Sequence, residues 1–161
     1  VGKSWWGAVM GLFEGLRPEI YIHGAKLRRD KKTGKRLWGL TLINTLLPEQ
    51  VVKCDGTIEA AYVYLLTLDN SAADVLLNTV VASCSIDFFG KFEDKKSTLH
   101  LDGVDLAGFR LTRKENVAEL WFQFELENNA SLHVFVKEYA YTRLWAEFKP
   151  VDLFTAVEKK D

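Results

Sequence analysis

Residues 117–127, VAELWFQFELE, alternate without a fault: Leu120, Phe122, Phe124 and Leu126 on one side, Glu119, Trp121, Gln123 and Glu125 on the other. A period of two over this length argues for a half-buried β-strand. The same period recurs along the chain. Ile20 and Ile22 oppose Tyr21 and His23, Trp38, Leu40 and Leu42 share a side, and Leu99 and Leu101 oppose His100 and Asp102. Leu132, Val134 and Val136 oppose His133, Phe135 and Lys137; Thr142, Leu144, Ala146 and Phe148 oppose Tyr141, Arg143, Trp145 and Glu147. Turn signals at Thr33-Gly34, Asp55-Gly56 and Asn128-Asn129 separate these runs. An antiparallel, strand-dominated fold follows.

Two of the runs superimpose on each other. At an offset of 79, Gly11, Phe13, Glu14, Gly24 and Leu27 fall on Gly90, Phe92, Glu93, Gly103 and Leu106, and Ile20 and Ile22 on Leu99 and Leu101. Internal similarity on this scale suggests a duplicated unit, about 5–83 and 84–161, within a single domain of residues 1–161. The register is not uniform. Matching Trp38 to Trp121 needs an offset of 83, while matching the inward faces needs 84. A one-residue slip exchanges the two faces of a strand, so both cannot hold.

Three short helices are expected. One lies within residues 5–16, glycine-rich and ended by the step into Pro18; one lies near 72–79, after a capping pattern of Ser71 with Asp74. The third closes the chain after Pro150, with Val151, Phe154 and Val157 as its stripe. Residues 57–68 are apolar on both faces, and their β-branched and aromatic content favours a strand, as does Val80–Phe89. The expected class is mainly β, a β-rich α+β chain folded as an antiparallel sandwich or barrel of two similar halves.

Composition narrows the function classes. The chain has 161 residues and a net charge of −1, so no global field draws it to nucleic acid or an anionic membrane. Apolar runs fall short of the roughly 20 residues that a membrane-spanning helix requires, and no signal peptide is read at the start. Cys54 and Cys84 lack ligand spacing and read as buried, reduced thiols, which places the protein in the cytoplasm. Gly2-Lys3-Ser4 lacks the strand and glycine of a phosphate-binding loop. His23, His100 and His133 have neither metal spacing nor an adjoining nucleophile pattern. No cofactor, metal or catalytic residue is expected, and His23 and His133 are the only side chains to test for one.

Two features carry the functional reading. The first is a basic hairpin, Lys26, Arg28, Arg29, Lys31, Lys32, Lys35 and Arg36 with one acid, Asp30; the aligned stretch Asp105–Glu115 is mixed in sign. Such a tip neutralises phosphates, or else serves as a solvated end that discourages edge pairing. The second is the outward side of the last strands, where Trp121, Phe135, Tyr141, Arg143 and Trp145 form an aromatic face. Buried against a partner, these are hot-spot residue types; beneath a single strand they stack bases. The paired strands, charged hairpin and return strand ending at Asn44 loosely resemble repeated β-modules of viral and phage assembly proteins. The leading expectation is a non-enzymatic module that binds a protein partner or itself through this face and its strand edges. The alternative is a nucleic-acid-binding protein using hairpin 26–36 on phosphates.

Overall fold

The computed structural model describes residues 12–13, 15–47, 62–63, 65–66, 74–77 and 82–150. Its strands are β1 (Glu19–Arg29), β2 (Arg36–Thr45), β3 (Asp74–Leu77), β4 (Ala82–Phe89), β5 (Leu99–Lys114), β6 (Val117–Glu127) and β7 (Arg143–Pro150). One helix, α1 (Ala130–Tyr139), joins β6 to β7. Every pairing is antiparallel. Neighbours run β1, β2, β6, β5, β4, β7 and back to β1, so six strands close a barrel and β3 lies outside it, on β5. Of the two architectures the alternation allowed, the barrel is the one formed. Closure gives each ring strand two neighbours, but Gly24–Arg29 of β1 and Phe124–Glu127 of β6 pair with β2 alone.

β5 makes closure feasible. Its first half pairs with β4, and its second half with β6 on one side and β3 on the other. A strand that changes neighbours must bend, and β5 does so at two bulges, one at Asp102-Gly103 and one at Gly108-Phe109. Both glycines have left-handed backbones, with φ of 61° and 66°, a region that side chains avoid. The stretch aligned with the basic loop, Asp105–Glu115, is therefore strand up to Lys114. Arg110 and Thr112 alternate with the buried Phe109 and Leu111 and face outward.

The inward faces are those the alternation indicates. Leu120, Phe122 and Phe124 of β6, Leu40 and Leu42 of β2, and Leu144, Ala146 and Phe148 of β7 are all buried. Four phenylalanines fill the interior: Phe13 stacks on Phe148 at 4.3 Å, Phe109 on Phe122 at 5.6 Å, and Phe122 meets Phe13 and Phe148 at 5.8 and 5.9 Å. Phe13 arrives from the stretch expected to be helical; residues 12, 13 and 15 form turns there, Leu16 N–H donates to the Phe13 carbonyl at 3.1 Å, and residues 5–11 and 14 lie outside the described residues.

Elsewhere the expectation is corrected. Residues 130–139 are helix, not strand: Asn129 caps it by accepting from the Leu132 N–H at 2.9 Å. Leu132, Phe135 and Val136 then share the buried face at helical spacing. The apparent alternation of Leu132, Val134 and Val136 is broken by Val134, which is exposed. Within 57–68, residues 62, 63, 65 and 66 are helical, and Leu65 is fully buried. Within 72–79, Asp74–Leu77 is strand β3, because Asp74 pairs with Thr112 and starts no helix. The remainder of both stretches, and the expected C-terminal helix, lie outside the described residues; Pro150 ends β7.

Candidate binding face

Cross-strand register assembles a single row of side chains on the outside of the barrel. Arg143 lies opposite Tyr21, Tyr21 opposite Ile43, Ile43 opposite Trp121, and Trp121 opposite Arg110. The row crosses β7, β1, β2, β6 and β5, four steps of ~4.8 Å, and so runs about 19 Å along the curved surface of the barrel. An arginine lies over an aromatic ring at each end, Arg110 over Trp121 at 4.3 Å and Arg143 over Tyr21 at 5.6 Å. Ile43 is the buried floor between the rings. His23, the extra residue of the β1 bulge, sets its ring edge-on to Trp121 at 4.7 Å.

All of these side chains but Arg110 line a concavity of about 720 Å3, which Glu19, Thr45, Leu47, Lys114 and Glu119 help to enclose. Its geometry is held from several sides. The Trp121 indole N–H donates to Thr112 Oγ1 at 3.1 Å, and Arg143 pairs with Glu19 at 3.1 Å. The buried Asn44 amide donates to the carbonyl of Glu19 at 3.0 Å, tying β2 to the start of β1. A second concavity of about 620 Å3 continues along the same strands toward the basic hairpin. Small residues open it, Gly24, Gly39, Thr41 and Ala107, with Lys26, Arg28, Gln123 and Glu125 around them.

The hairpin is ordered at its base by carboxylates of β6. Glu125 takes Arg28 at 2.5 and 3.0 Å, and Glu127 takes Lys35 at 3.5 Å. Each partner shifts the other: the hydrogen bond and charge of Glu125 raise the Arg28 pKa, and Arg28 lowers that of Glu125. Asp30 closes the loop by accepting from the Lys32 N–H at 3.0 Å and from Thr33 Oγ1 at 3.1 Å; the first bond is the main reason its pKa is lowered. Lys26, Arg29, Lys31, Lys32 and Arg36 are exposed, and no carboxylate pairs with them among the described residues. Together the two concavities and the hairpin carry nine basic groups, the seven of the hairpin with Lys114 and Arg143. The acids there, counting Glu127 paired with Lys35, are six: Glu19, Asp30, Asp105, Glu119, Glu125 and Glu127. The face is thus net positive on a chain whose total charge is −1.

The aromatic face expected from sequence is divided. Trp121 and Arg143 belong to the row. Phe135 does not: as a helical residue it is buried, 4.9 Å from Phe88 and 5.0 Å from Tyr139. Trp145 lies further along β7, edge-on to Phe92 at 6.4 Å. Tyr141 sits in the turn before β7 and is exposed. Tyr21, Ile43 and Arg110 were not singled out in the sequence. The alternation of Tyr21 against Ile20 and Ile22 was available, but which strands are neighbours was not.

The other titratable groups make no second site of this kind. His100 bridges Asp87 at 2.7 Å and Asp102 at 2.9 Å on the outside of β4 and β5, and these hydrogen bonds raise its pKa. His133 lies 5.8 Å from Trp38, and its Nδ1 has no hydrogen-bond partner among the described residues. Cys84 is buried, and burial, assisted by Asp105, pushes its thiol up to about 12, so it is a poor nucleophile. Cys54 lies outside the described residues. Among the described residues no group of His, Cys, Asp and Glu is placed to hold a metal ion, and no helix is long and apolar enough to cross a membrane. Compared with protein-family models, curated proteins and solved structures, the chain matches none.

Proposed function

We propose that this chain is a non-enzymatic binding module whose contact surface is the outer face of β7, β1, β2, β6 and β5, and that its partner is a single-stranded nucleic acid. The observation that carries this reading is the row from Arg143 through Tyr21, Ile43 and Trp121 to Arg110. Aromatic rings accept the face of any base, arginines beside them meet the phosphates, and the hairpin cations extend the positive track. A duplex presents no unstacked base, so single strands are preferred.

A protein partner, or a second copy, is the second reading. Trp, Tyr and Arg are the residue types that dominate protein interfaces, and the row groups them. Against it, two of the five expected aromatic-face residues, Phe135 and Trp145, lie away from the row.

The test is fluorescence anisotropy with labelled single-stranded and duplex oligonucleotides at low and moderate salt. Binding is expected to prefer single strands and to weaken as salt rises. Trp121→Ala should cost ~1–3 kcal/mol of binding. Reversing the charges of Arg28, Arg29, Lys31 and Lys32 should remove most of the salt dependence. Absence of binding at low salt sinks this reading. Concentration-dependent sedimentation would then favour self-association.

A further inference from the structure

Helix α1 ends in a turn whose chemistry is wrong for its residue. Thr142 N–H donates to the Tyr139 carbonyl at 3.1 Å, which closes a four-residue turn. Its central residues are Ala140, at φ −57° and ψ 135°, and Tyr141, at φ 64°. These are the angles of a type II turn, whose third position calls for glycine. The same place, just past a helix C-terminus, is also where helices use a left-handed glycine. Tyrosine there is strained, and its side chain is 63% exposed, so core packing does not offset the strain.

The backbone of this turn is fixed beside the row. Tyr141 N–H donates to the Ile22 carbonyl at 2.8 Å, and Ile22 N–H donates to the Thr142 carbonyl at 3.0 Å. The turn therefore continues the ladder of β7 with β1. Tyr141 stands two residues before Arg143, next to the β1 bulge at His23, whose ring touches Trp121. An exposed tyrosine is thus held, at a conformational cost, on backbone bonded to Ile22, between Tyr21 of the row and the bulge at His23.

We infer that Tyr141 is a contact residue of the binding face, a third ring that stacks on a single-stranded nucleic acid. This rests on the reading above, and it makes a demand that a purely structural role does not. Stability and binding must move in opposite directions when the strain is removed.

The experiment compares wild type with Tyr141→Gly and Tyr141→Phe, measuring thermal unfolding and the anisotropy of a labelled oligothymidylate. Tyr141→Gly should raise the unfolding temperature by about 2–4 °C, the shift expected for relieving one strained residue in a chain of this size. It should weaken oligonucleotide binding about tenfold, as loss of one stacking ring does. Tyr141→Phe should keep both values near wild type, because the ring and not the hydroxyl makes the contact. Wild type that binds while Tyr141→Gly binds equally well overturns the role of Tyr141 and leaves the row's function standing. A lower unfolding temperature for Tyr141→Gly overturns the strain on which the inference stands. Wild type that binds no oligonucleotide overturns both, and the face then belongs to a protein partner.

Discussion

The hairpins β1–β2 and β5–β6 build the same kind of antiparallel pair and join side by side through β2 and β6, yet they spend their glycines and charges differently. The first turns through a six-residue loop, Asp30–Lys35, in which the left-handed position is Gly34 and Asp30 supplies the internal hydrogen bonds. The second turns in two residues, Glu115 and Asn116, and places Glu115 at φ 56°. The ladder alone does not require a long loop, since the second hairpin does without one. Loop length in the first goes with its load of cations. The bulges differ as well. β1 inserts His23 against β2, whereas β5 is bulged against both of its ring neighbours and uses left-handed glycines to do so.

The widest separation expected between the two hairpins comes from glycine-to-alanine substitutions at Gly108, Gly103 and Gly24. A Cβ on Gly108 would lie 3.1 Å from Cγ of Gln123, on a backbone that is already left-handed. Strain and contact together should cost about 2 kcal/mol or more. At Gly103 nothing lies within 4 Å, so only the backbone strain remains, about 1 kcal/mol. Gly24 has neither feature: its Cβ would meet Thr41 at 4.0 Å. Alanine there should be neutral or stabilising by about 0.5–1 kcal/mol. Urea midpoints rank the three. Equal losses at Gly24 and Gly103 would mean that the two bulges share a conformation, and the contrast between the hairpins would collapse.

That ranking is something the sequence conceals. Gly24 and Gly103 align at an offset of 79, and both mark irregular strands, as read. But residues 21–28 pair with β2, while residues 99–106 pair with β4 and not with β6. Alternation exposes which residues face inward, as the full agreement over β6 illustrates, because burial and period two are local properties. It does not reveal neighbours, so the row assembled from five strands stayed unseen although Trp121 and Arg143 were both singled out. The misreadings have a common cause. At 130–139 the apolar residues satisfy a strand and a helix at once, and the tie is broken by Asn129 acting as a cap rather than a turn. Residues 57–68, apolar on both faces and expected as a strand, pose the same tie, and residues 62, 63, 65 and 66 are helical there.

A smaller effect, of opposite sign, separates the two turns. Glu115→Gly places the residue that a two-residue hairpin prefers at its left-handed position. Relief of the strain should outweigh the added freedom of the unfolded chain and stabilise the protein by up to about 1 kcal/mol. Gly34→Ala in the other hairpin should destabilise by a similar amount, because φ is 72° there although nothing crowds the site. Thermal unfolding of the two variants checks both signs. A loss of stability in Glu115→Gly would mean that the tight turn depends on the glutamate itself.

The smallest effect tests the aligned outward pairs themselves. On β1, Tyr21 and His23 face the row; the positions aligned with them on β5 are His100 and Asp102, and these form a charged cluster with Asp87. The hydrogen bonds to Asp87 and then Asp102 favour the protonated ring, so the folded pKa lies above the usual 6.5. A raised folded value means that protonation stabilises the fold fully below about pH 6.5 and that this contribution fades as pH rises through the folded pKa. Comparing urea midpoints of wild type and His100→Gln from about pH 5 to about pH 9 should show wild type ahead only at the acid end. The advantage should be modest, since the ring is half exposed and the charges are screened. Oligonucleotide binding should respond to His100→Gln no more than to any neutral exposed change, because the cluster lies between β4 and β5, outside the row. An equal loss of binding on changing His100 and His23 would extend the working face around the barrel, and the two aligned pairs would then differ in chemistry but not in use.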